Sequence, residues 1–166
     1  DNKNNGSTSC EVVPAGFYMS QGKRSECERG FTCQGADKAP EPCQNGTYIN
    51  STGSVSCIPC SPGTFASSPG SLTCEDCPAG FLQREPKQAR CEKVKDGQVV
   101  ADGGSASIQV PAGSKICSDG SGCTDKEAPF EACTTGFYGK VPPTKQCLEC
   151  PVGFSSSKAA TECQAW

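Results

Sequence analysis

Residues 43–91 decide the fold, because three units in this stretch open alike: Cys43-Gln-Asn-Gly-Thr-Tyr, Cys60-Ser-Pro-Gly-Thr-Phe and Cys77-Pro-Ala-Gly-Phe-Leu. Each unit starts 17 residues after the previous one, and a second cysteine follows its first by 14 residues. A glycine three residues after each opening cysteine favours a tight turn with positive φ, which other residues resist. The stretch is therefore a repeat of one small module.

The module recurs towards the end of the chain, where Cys133 to Cys147 keeps the spacing and Cys150 to Cys163 is one residue shorter. A longer period of 90 residues relates five cysteines of the first half to five of the second. We therefore predict a polar arm (1–9), a first repeat copy (10–91), a cysteine-free hairpin or spacer (92–116) and a truncated second copy (117–166). The related cysteines are Cys27, Cys33, Cys43, Cys57 and Cys60, which recur at Cys117, Cys123, Cys133, Cys147 and Cys150.

Two further segments look like incomplete units. Pro14-Ala-Gly-Phe-Tyr18 has the opening, with Val13 where the first cysteine is expected, and Val110-Pro-Ala-Gly113 looks like the same opening cut short. The aromatic residue or leucine after each opening glycine is expected to lie over a disulfide. These residues are Tyr48, Phe65, Phe81, Leu82, Phe137, Tyr138 and Phe154.

The composition excludes a large apolar core. Leu, Ile, Val and Phe make up only about 14% of the 166 residues, below the roughly 20% that folded domains normally need. The 15 cysteines instead indicate a disulfide scaffold. A bridge that closes about 15 residues contributes roughly 3 kcal/mol, which replaces the missing core. We predict small disulfide-rich repeats that form an elongated rod of stacked modules, with short strands or hairpins and little helix.

The openings, together with the linking Cys57-Ile-Pro-Cys60 and Cys147-Leu-Glu-Cys150, resemble the ephrin-receptor-like cysteine repeat. That family is related to the cysteine-rich modules of tumour-necrosis-factor receptors and growth-factor receptors. The resemblance covers residues 43–91 and 133–163, and it implies the fold of that family and an extracellular location. The spacing of the cysteines alone does not determine which of them form disulfides with each other. The bridges that the resemblance implies are Cys43–Cys57, Cys60–Cys74, Cys77–Cys91, Cys133–Cys147 and Cys150–Cys163.

The odd number of cysteines leaves one without a partner in the chain. If Cys27 pairs with Cys33 and Cys117 with Cys123, each copy is complete and Cys10 is free or bridges to another subunit. A rival account pairs Cys10 with Cys27 and leaves Cys33 single. We favour the first account, because the context of Cys10 looks like the end of an upstream unit.

Three glycosylation sequons, at Asn5, Asn45 and Asn50, lie in turn-prone stretches and favour a secreted glycoprotein. The two Cys-x2-Cys pairs between Cys57 and Cys77 also have the spacing of a tetrahedral zinc site. However, the same spacing continues outward to further cysteines, and the sequons imply an oxidising compartment. We therefore predict disulfides, with no metal and no cofactor.

No catalytic arrangement is visible, because the chain has no histidine, no Gly-x-Ser-x-Gly motif and no phosphate loop. Asp119 and Asp125 could hold calcium, but the EF-hand pattern is absent and a turn is favoured. The net charge of −3 argues against nucleic acid as a partner, and no apolar run is long enough to cross a membrane. The basic segment from Arg84 to Lys95 is a solvated face or a contact for a polyanion or glycan.

These observations predict an extracellular or cell-surface structural glycoprotein, not an enzyme. It would be a subunit or segment of a repeat-built fibre, surface coat or matrix, and its partners would be copies of itself, with glycans attached. The alternative is a cysteine-rich receptor ectodomain that binds a protein ligand. A single exposed apolar patch would favour that alternative, and the sequence does not supply an obvious one.

Overall fold

The computed structural model describes residues 12–36, 38–117 and 128–166. Within these ranges the chain forms short strands and turns, and the only helical element is a 3₁₀ turn at Asp102–Gly104. The strands are β1 (Phe17–Ser20), β2 (Lys23–Glu26), β3 (Phe31–Thr32), β4 (Glu41–Pro42), β5 (Thr47–Tyr48), β6 (Ile58–Pro59), β7 (Thr64–Phe65), β8 (Glu75–Asp76), β9 (Phe81–Leu82), β10 (Glu92–Lys93), β11 (Gln98–Ala101), β12 (Ala106–Gln109), β13 (Ser114–Ile116), β14 (Phe130–Ala132), β15 (Phe137–Tyr138), β16 (Leu148–Glu149), β17 (Phe154–Ser155) and β18 (Gln164–Ala165).

Each odd-numbered strand pairs with the next strand, so that the described residues form nine antiparallel hairpins, which we number 1 to 9 in chain order. In hairpin 3, for example, Thr47 lies opposite Pro59 and Tyr48 opposite Ile58. This confirms the predicted class of small disulfide-rich repeats with short hairpins and little helix. The rod shape stays a prediction.

Each hairpin begins with a four-residue turn whose third residue is a glycine with φ between +76° and +88°. The N–H of the following residue donates to the carbonyl three residues earlier, as from Phe81 to Pro78 at 2.9 Å. A positive φ at this position is what a type II turn requires, and it confirms the turn predicted from the motif. The opening glycines are Gly16, Gly30, Gly46, Gly63, Gly80, Gly97, Gly113, Gly136 and Gly153.

A single junction residue connects each hairpin to the next. Its N–H donates to the carbonyl of the preceding opening glycine, as from Cys43 to Gly30 at 2.8 Å and from Val110 to Gly97 at 2.8 Å. Trp166 makes the same bond to Gly153 at 3.2 Å. The junction residues that begin hairpins 1 to 9 are Val13, Cys27, Cys43, Cys60, Cys77, Val94, Val110, Cys133 and Cys150.

Neighbouring hairpins are joined by up to three kinds of backbone hydrogen bond, which together we call the ladder. All three are present between hairpins 2 and 3, 3 and 4, 4 and 5, and 8 and 9, and only the second kind between hairpins 5 and 6 and between hairpins 7 and 8. The first runs from an opening glycine, as in Gly46 N–H to Ala66 C=O at 2.8 Å. The second runs from the N–H three residues after that glycine to a carbonyl in the loop of the next hairpin, as in Ile49 N–H to Ser71 C=O at 3.1 Å. The third returns from that loop to the junction residue, as in Gly70 to Cys43 at 2.7 Å. Because the ladder uses backbone groups, most side chains along it are free to vary.

The core consists of two rows of residues that follow the ladder. The first row contains the junction residues, of which Cys27, Cys43 and Cys60 are 0% exposed. The second contains residues three positions after the opening glycines, such as Ile49 and Ala66, each 2% exposed. Each residue is covered mainly by the adjacent hairpin, which is the arrangement expected of a repeat protein with a small core.

The segment predicted as a cysteine-free hairpin or spacer forms hairpin 6 within this ladder. Val94 donates to Gly80 at 2.9 Å, and Gln83 of hairpin 5 donates to Gly104 at 2.7 Å. Strands also pair across both predicted boundaries of this segment, β9 with β10 and β13 with β14. The division of the chain into two copies stays a prediction.

Gly30 and Gly136 offer a matched test of the ladder. Both have a similar positive φ, but a Cβ on Gly30 would lie 2.5 Å from the carbonyl oxygen of Gly70, whereas no described atom lies within 4 Å of one on Gly136. We predict that Gly136→Ala lowers the free energy of unfolding by about 1–2 kcal/mol through φ strain. Gly30→Ala should lower it by about 3 kcal/mol or more, because the clash adds to the strain.

Urea denaturation with the disulfides intact measures both changes. Equal losses for the two variants would show that the approach of the hairpin 4 loop to Gly30 contributes nothing to stability.

Candidate functional site

Six disulfides have both of their cysteines in the described part of the chain, and they form its main chemical feature. Five of them connect a junction residue to the residue just before the second strand of the same hairpin, with Cα atoms 5.7 Å apart. These five pairs are the ones that the family resemblance implies. They are Cys43–Cys57, Cys60–Cys74, Cys77–Cys91, Cys133–Cys147 and Cys150–Cys163.

This geometry explains the Cys-x2-Cys spacing. Cys57 closes the loop of hairpin 3, the two strand residues Ile58–Pro59 follow, and Cys60 is the next junction residue. All four cysteines of the alternative zinc site are in disulfides, so they offer no thiolate. In the described ranges no group of three or more potential ligands could hold a metal ion.

Hairpins 1 and 6 lack a bridge and have longer strands instead. Their strands pair over four residues each, whereas the strands of hairpins 3 and 4 pair over two. Their junction residues are Val13, which is 6% exposed, and Val94. Val13 thus begins a complete hairpin, as predicted for a degenerate unit, because extra backbone pairing holds the hairpin that a disulfide holds elsewhere.

The remaining cysteines bear on the odd count. Cys27 is bonded to Cys33, which is inconsistent with the rival pairing of Cys10 with Cys27. Cys117 is also disulfide-bonded, while Cys10 and Cys123 lie outside the described residues. The free or intermolecular state of Cys10 stays a prediction.

Two of the three sequons lie on the exposed surface of hairpin 3. Asn45 is in its opening turn and Asn50 follows the buried Ile49, and both asparagines are exposed. Thr47 belongs to the sequon that begins at Asn45, and its hydroxyl donates to the carbonyl of Gln44 at 2.7 Å. Glycans at these positions would point into solvent, so the fold permits the predicted modification. Asn5 lies outside the described residues.

The residues expected to lie over the disulfides differ in burial, and their contact with the bridges stays a prediction. Leu82 is 2% exposed, and Tyr48 and Phe65 are half-buried. In contrast, Phe81 is 36% exposed and Phe154 is 45% exposed. The reason is that each hairpin has only two strands, so one of its two faces meets solvent unless a neighbouring loop covers it.

One class of residue that the ladder needs could not be recognised from the motifs. Ala36, Lys87 and Ala159 adopt a left-handed φ between 53° and 60° in the loops that return to the junction residues. Their N–H groups donate to Val13, Cys60 and Cys133 at 2.8–2.9 Å. Gly53 and Gly70 do the same in hairpins 3 and 4. The only available signal was the spacing of 17 residues between positions 36, 53, 70 and 87.

The other candidates of the sequence analysis do not converge on a reaction site. Asp119 and Asp125 lie outside the described residues. The basic side chains from Arg84 to Lys95 are all exposed. Among the described residues, no helix is long and apolar enough to cross a membrane.

Comparison with known proteins identifies part of this scaffold. Residues 30–73 match the family described as tyrosine-protein kinase ephrin type A/B receptor-like. They span most of hairpin 2, all of hairpin 3 and most of hairpin 4, including the Cys43–Cys57 bridge. The family is of a receptor-ectodomain type and is not an enzyme family. No curated protein matches the chain.

Removing single bridges tests how much each disulfide contributes. The pairs Cys43–Cys57 and Cys150–Cys163 close loops of similar length, so the loss of either bridge should cost about 3 kcal/mol. Cys43 is also fully buried under hairpin 4. We therefore predict that Cys43→Ala/Cys57→Ala is less stable than Cys150→Ala/Cys163→Ala by a further 1–2 kcal/mol or so.

Chemical denaturation of the two double variants gives this difference. If the Cys150→Ala/Cys163→Ala protein proved the less stable one, burial under the neighbouring hairpin would not be what distinguishes the two bridges.

Proposed function

We propose that this chain, which contains ephrin-receptor-like cysteine-rich repeats, is an extracellular structural glycoprotein. Its role would be that of a subunit or segment in a repeat-built fibre, surface coat or matrix. The observation that carries the proposal is the ladder, because the same kinds of backbone hydrogen bond connect most successive hairpins of the described chain, although their side chains differ. Such a design extends by repetition and needs no reaction chemistry.

An extracellular location is consistent with several features. Modules of the matched family are typical of extracellular domains. Six disulfides in the described residues would persist in an oxidising compartment and not in a reducing one. The exposed Asn45 and Asn50 would carry glycans there.

Hairpin 9 carries ladder groups that have no partner among the described residues. In hairpin 8 the N–H of Gly136 donates to Ser156 at 3.2 Å, and that of Gly139 donates to Ala160 at 2.9 Å. The corresponding N–H groups of hairpin 9, on Gly153 and Ser156, have no hydrogen-bond partner among the described residues. Any further hairpin of the same kind, from this protein or from a second copy, would continue the ladder at this surface.

The side chains beside these groups are apolar and exposed. Val152, Phe154 and Trp166 are 102%, 45% and 91% exposed. Burying aromatic side chains of this size contributes about 1.5–3 kcal/mol each. A second copy that adds a hairpin here would therefore gain both hydrogen bonds and apolar contact.

The surface supports the receptor alternative no better than the structural role. Exposed apolar side chains are distributed over many of the described hairpins, including Met19, Ile58, Ile108 and Phe137. A protein ligand usually binds one contiguous apolar patch. A distributed pattern is better suited to a scaffold that presents similar surfaces along its length.

Assembly of the protein, produced in a secretory host, tests this proposal. We predict that sedimentation velocity and negative-stain images show head-to-tail oligomers that lengthen with concentration. Phe154→Ser/Trp166→Ser should raise the concentration needed for assembly by about tenfold or more, since apolar contact is lost. Ile58→Ser/Leu72→Ser, at exposed positions of hairpins 3 and 4, serves as the control and should leave this concentration unchanged.

The variant Cys10→Ser separates covalent from non-covalent association. It should remove any reducible link between chains and leave the concentration-dependent oligomers in place. Discrete monomers of the wild-type protein at high concentration would contradict the proposed function.

A further inference from the structure

Hairpin 5 and the start of hairpin 6 carry a concentration of positive charge. Residues 84–95 contain five basic and two acidic residues, whereas the whole chain has a net charge of −3. The rest of the sequence is therefore more acidic than the total suggests. A cationic segment on an acidic chain produces a local positive potential that attracts anionic partners to that place.

The basic side chains of this segment have no acidic partner among the described residues. All five are exposed, and none has a carboxylate oxygen within 4.0 Å in the part of the chain that the structure describes. The neighbouring hairpin 7 shows the contrast, since Lys115 pairs with Glu131 at 3.3 Å. The charges of hairpin 5 are thus available to a ligand. The five residues are Arg84, Lys87, Arg90, Lys93 and Lys95.

Three of these cations surround one cavity. Arg84, Lys93 and Lys95 line a depression of about 130 Å³ between hairpins 5 and 6. Glu92 is the one acidic residue of the lining, so the cations remain in excess. The Nη2 of Arg84 donates to Ser107 Oγ at 2.9 Å, and Ser107 in turn donates to Gln98 Oε1 at 3.2 Å. The guanidinium is therefore held in position by hairpin 6, so less side-chain entropy is lost when an anion binds.

An exposed aromatic ring lies beside one of these cations, Lys93. Phe81 is 36% exposed and lies directly opposite Lys93 in hairpin 5, so both side chains point to the same face. The ring offers a flat apolar surface next to a positive charge. The C–H face of a sugar ring can pack on such a surface while its anionic groups reach the cations.

We infer that this surface, formed by Phe81, Arg84, Lys93 and Lys95, binds a sulfated polysaccharide. Sulfate groups remain ionised at neutral pH, and an arginine can bind their oxygens with two parallel charge-assisted hydrogen bonds, as it does with phosphate. Lysines add point charges that tolerate variable spacing. A chain of anionic sugars supplies both the repeated charge and the apolar ring face. The site is separate from the self-association surface of hairpin 9.

Heparin, a sulfated polysaccharide, is the probe that tests this inference. The wild-type protein should bind immobilised heparin at about 0.15 M salt, and more weakly as salt rises, because screening shortens the reach of exposed charges. The variant Arg84→Gln/Lys93→Gln/Lys95→Gln should bind about tenfold more weakly or worse, since three charge pairs are lost. Peptide mapping of the disulfides verifies that the variant is folded.

A matched control removes the same charge elsewhere. Lys23, Lys140 and Lys158 are exposed on hairpins 1, 8 and 9, and Lys23→Gln/Lys140→Gln/Lys158→Gln should change heparin affinity by less than about twofold. The inference is overturned if the wild type does not bind heparin or if both triple variants lose affinity equally. It is also overturned if vesicles with anionic lipid headgroups bind as tightly as heparin, since the ligand would then be a membrane surface.

Discussion

The absence of a side chain on the opening glycines is the constraint that lets successive hairpins stack closely. At Gly16 and Gly30 a Cβ would lie 2.5 Å from a carbonyl oxygen of the hairpin two further along. Because only hydrogen occupies this position, the loop of that hairpin can approach the backbone closely and add to the ladder bonds between adjacent hairpins. The same glycine also supplies the positive φ that the opening turn needs, so one residue type meets two requirements.

The scaffold combines two means of stabilising a hairpin that has almost no core of its own. A disulfide ties the loop of hairpin 3 to its junction residue, whereas hairpin 1 relies on four backbone pairs and a valine. A bridge of this loop length contributes about 3 kcal/mol, and a backbone hydrogen bond about 0.5–1.5 kcal/mol. Two or three additional hydrogen bonds thus replace one bridge. This equivalence explains why cysteine and valine share the junction position.

Much of this architecture could be predicted from the sequence because the opening glycines and cysteines repeat at fixed intervals. The 90-residue period relates Cys27 to Cys117, but the two cysteines hold different places in the structure. The N–H of Cys27 donates to the carbonyl of Gly16, as in a junction residue, whereas the N–H of Cys117 donates to the carbonyl of Pro129. Val110 takes the junction position instead, since that position needs only a buried apolar side chain. The left-handed Lys87 could not be recognised, because its conformation is imposed by contacts with another hairpin. The sequence indicated the positive charge of residues 84–95 but not the basic cavity, since the residues that line the cavity come from two hairpins.

Amide hydrogen exchange measured by NMR on dilute protein, with the disulfides intact, tests the ladder most directly. The N–H groups of Gly46 and Ile49 donate to hairpin 4, while those of Gly153 and Ser156 occupy the same positions in hairpin 9 without a described partner. We predict that the first pair exchanges at least about a hundredfold more slowly than the second, because exchange there requires neighbouring hairpins to separate. Equal exchange rates at the two pairs would contradict the account that backbone hydrogen bonds between hairpins hold this structure together.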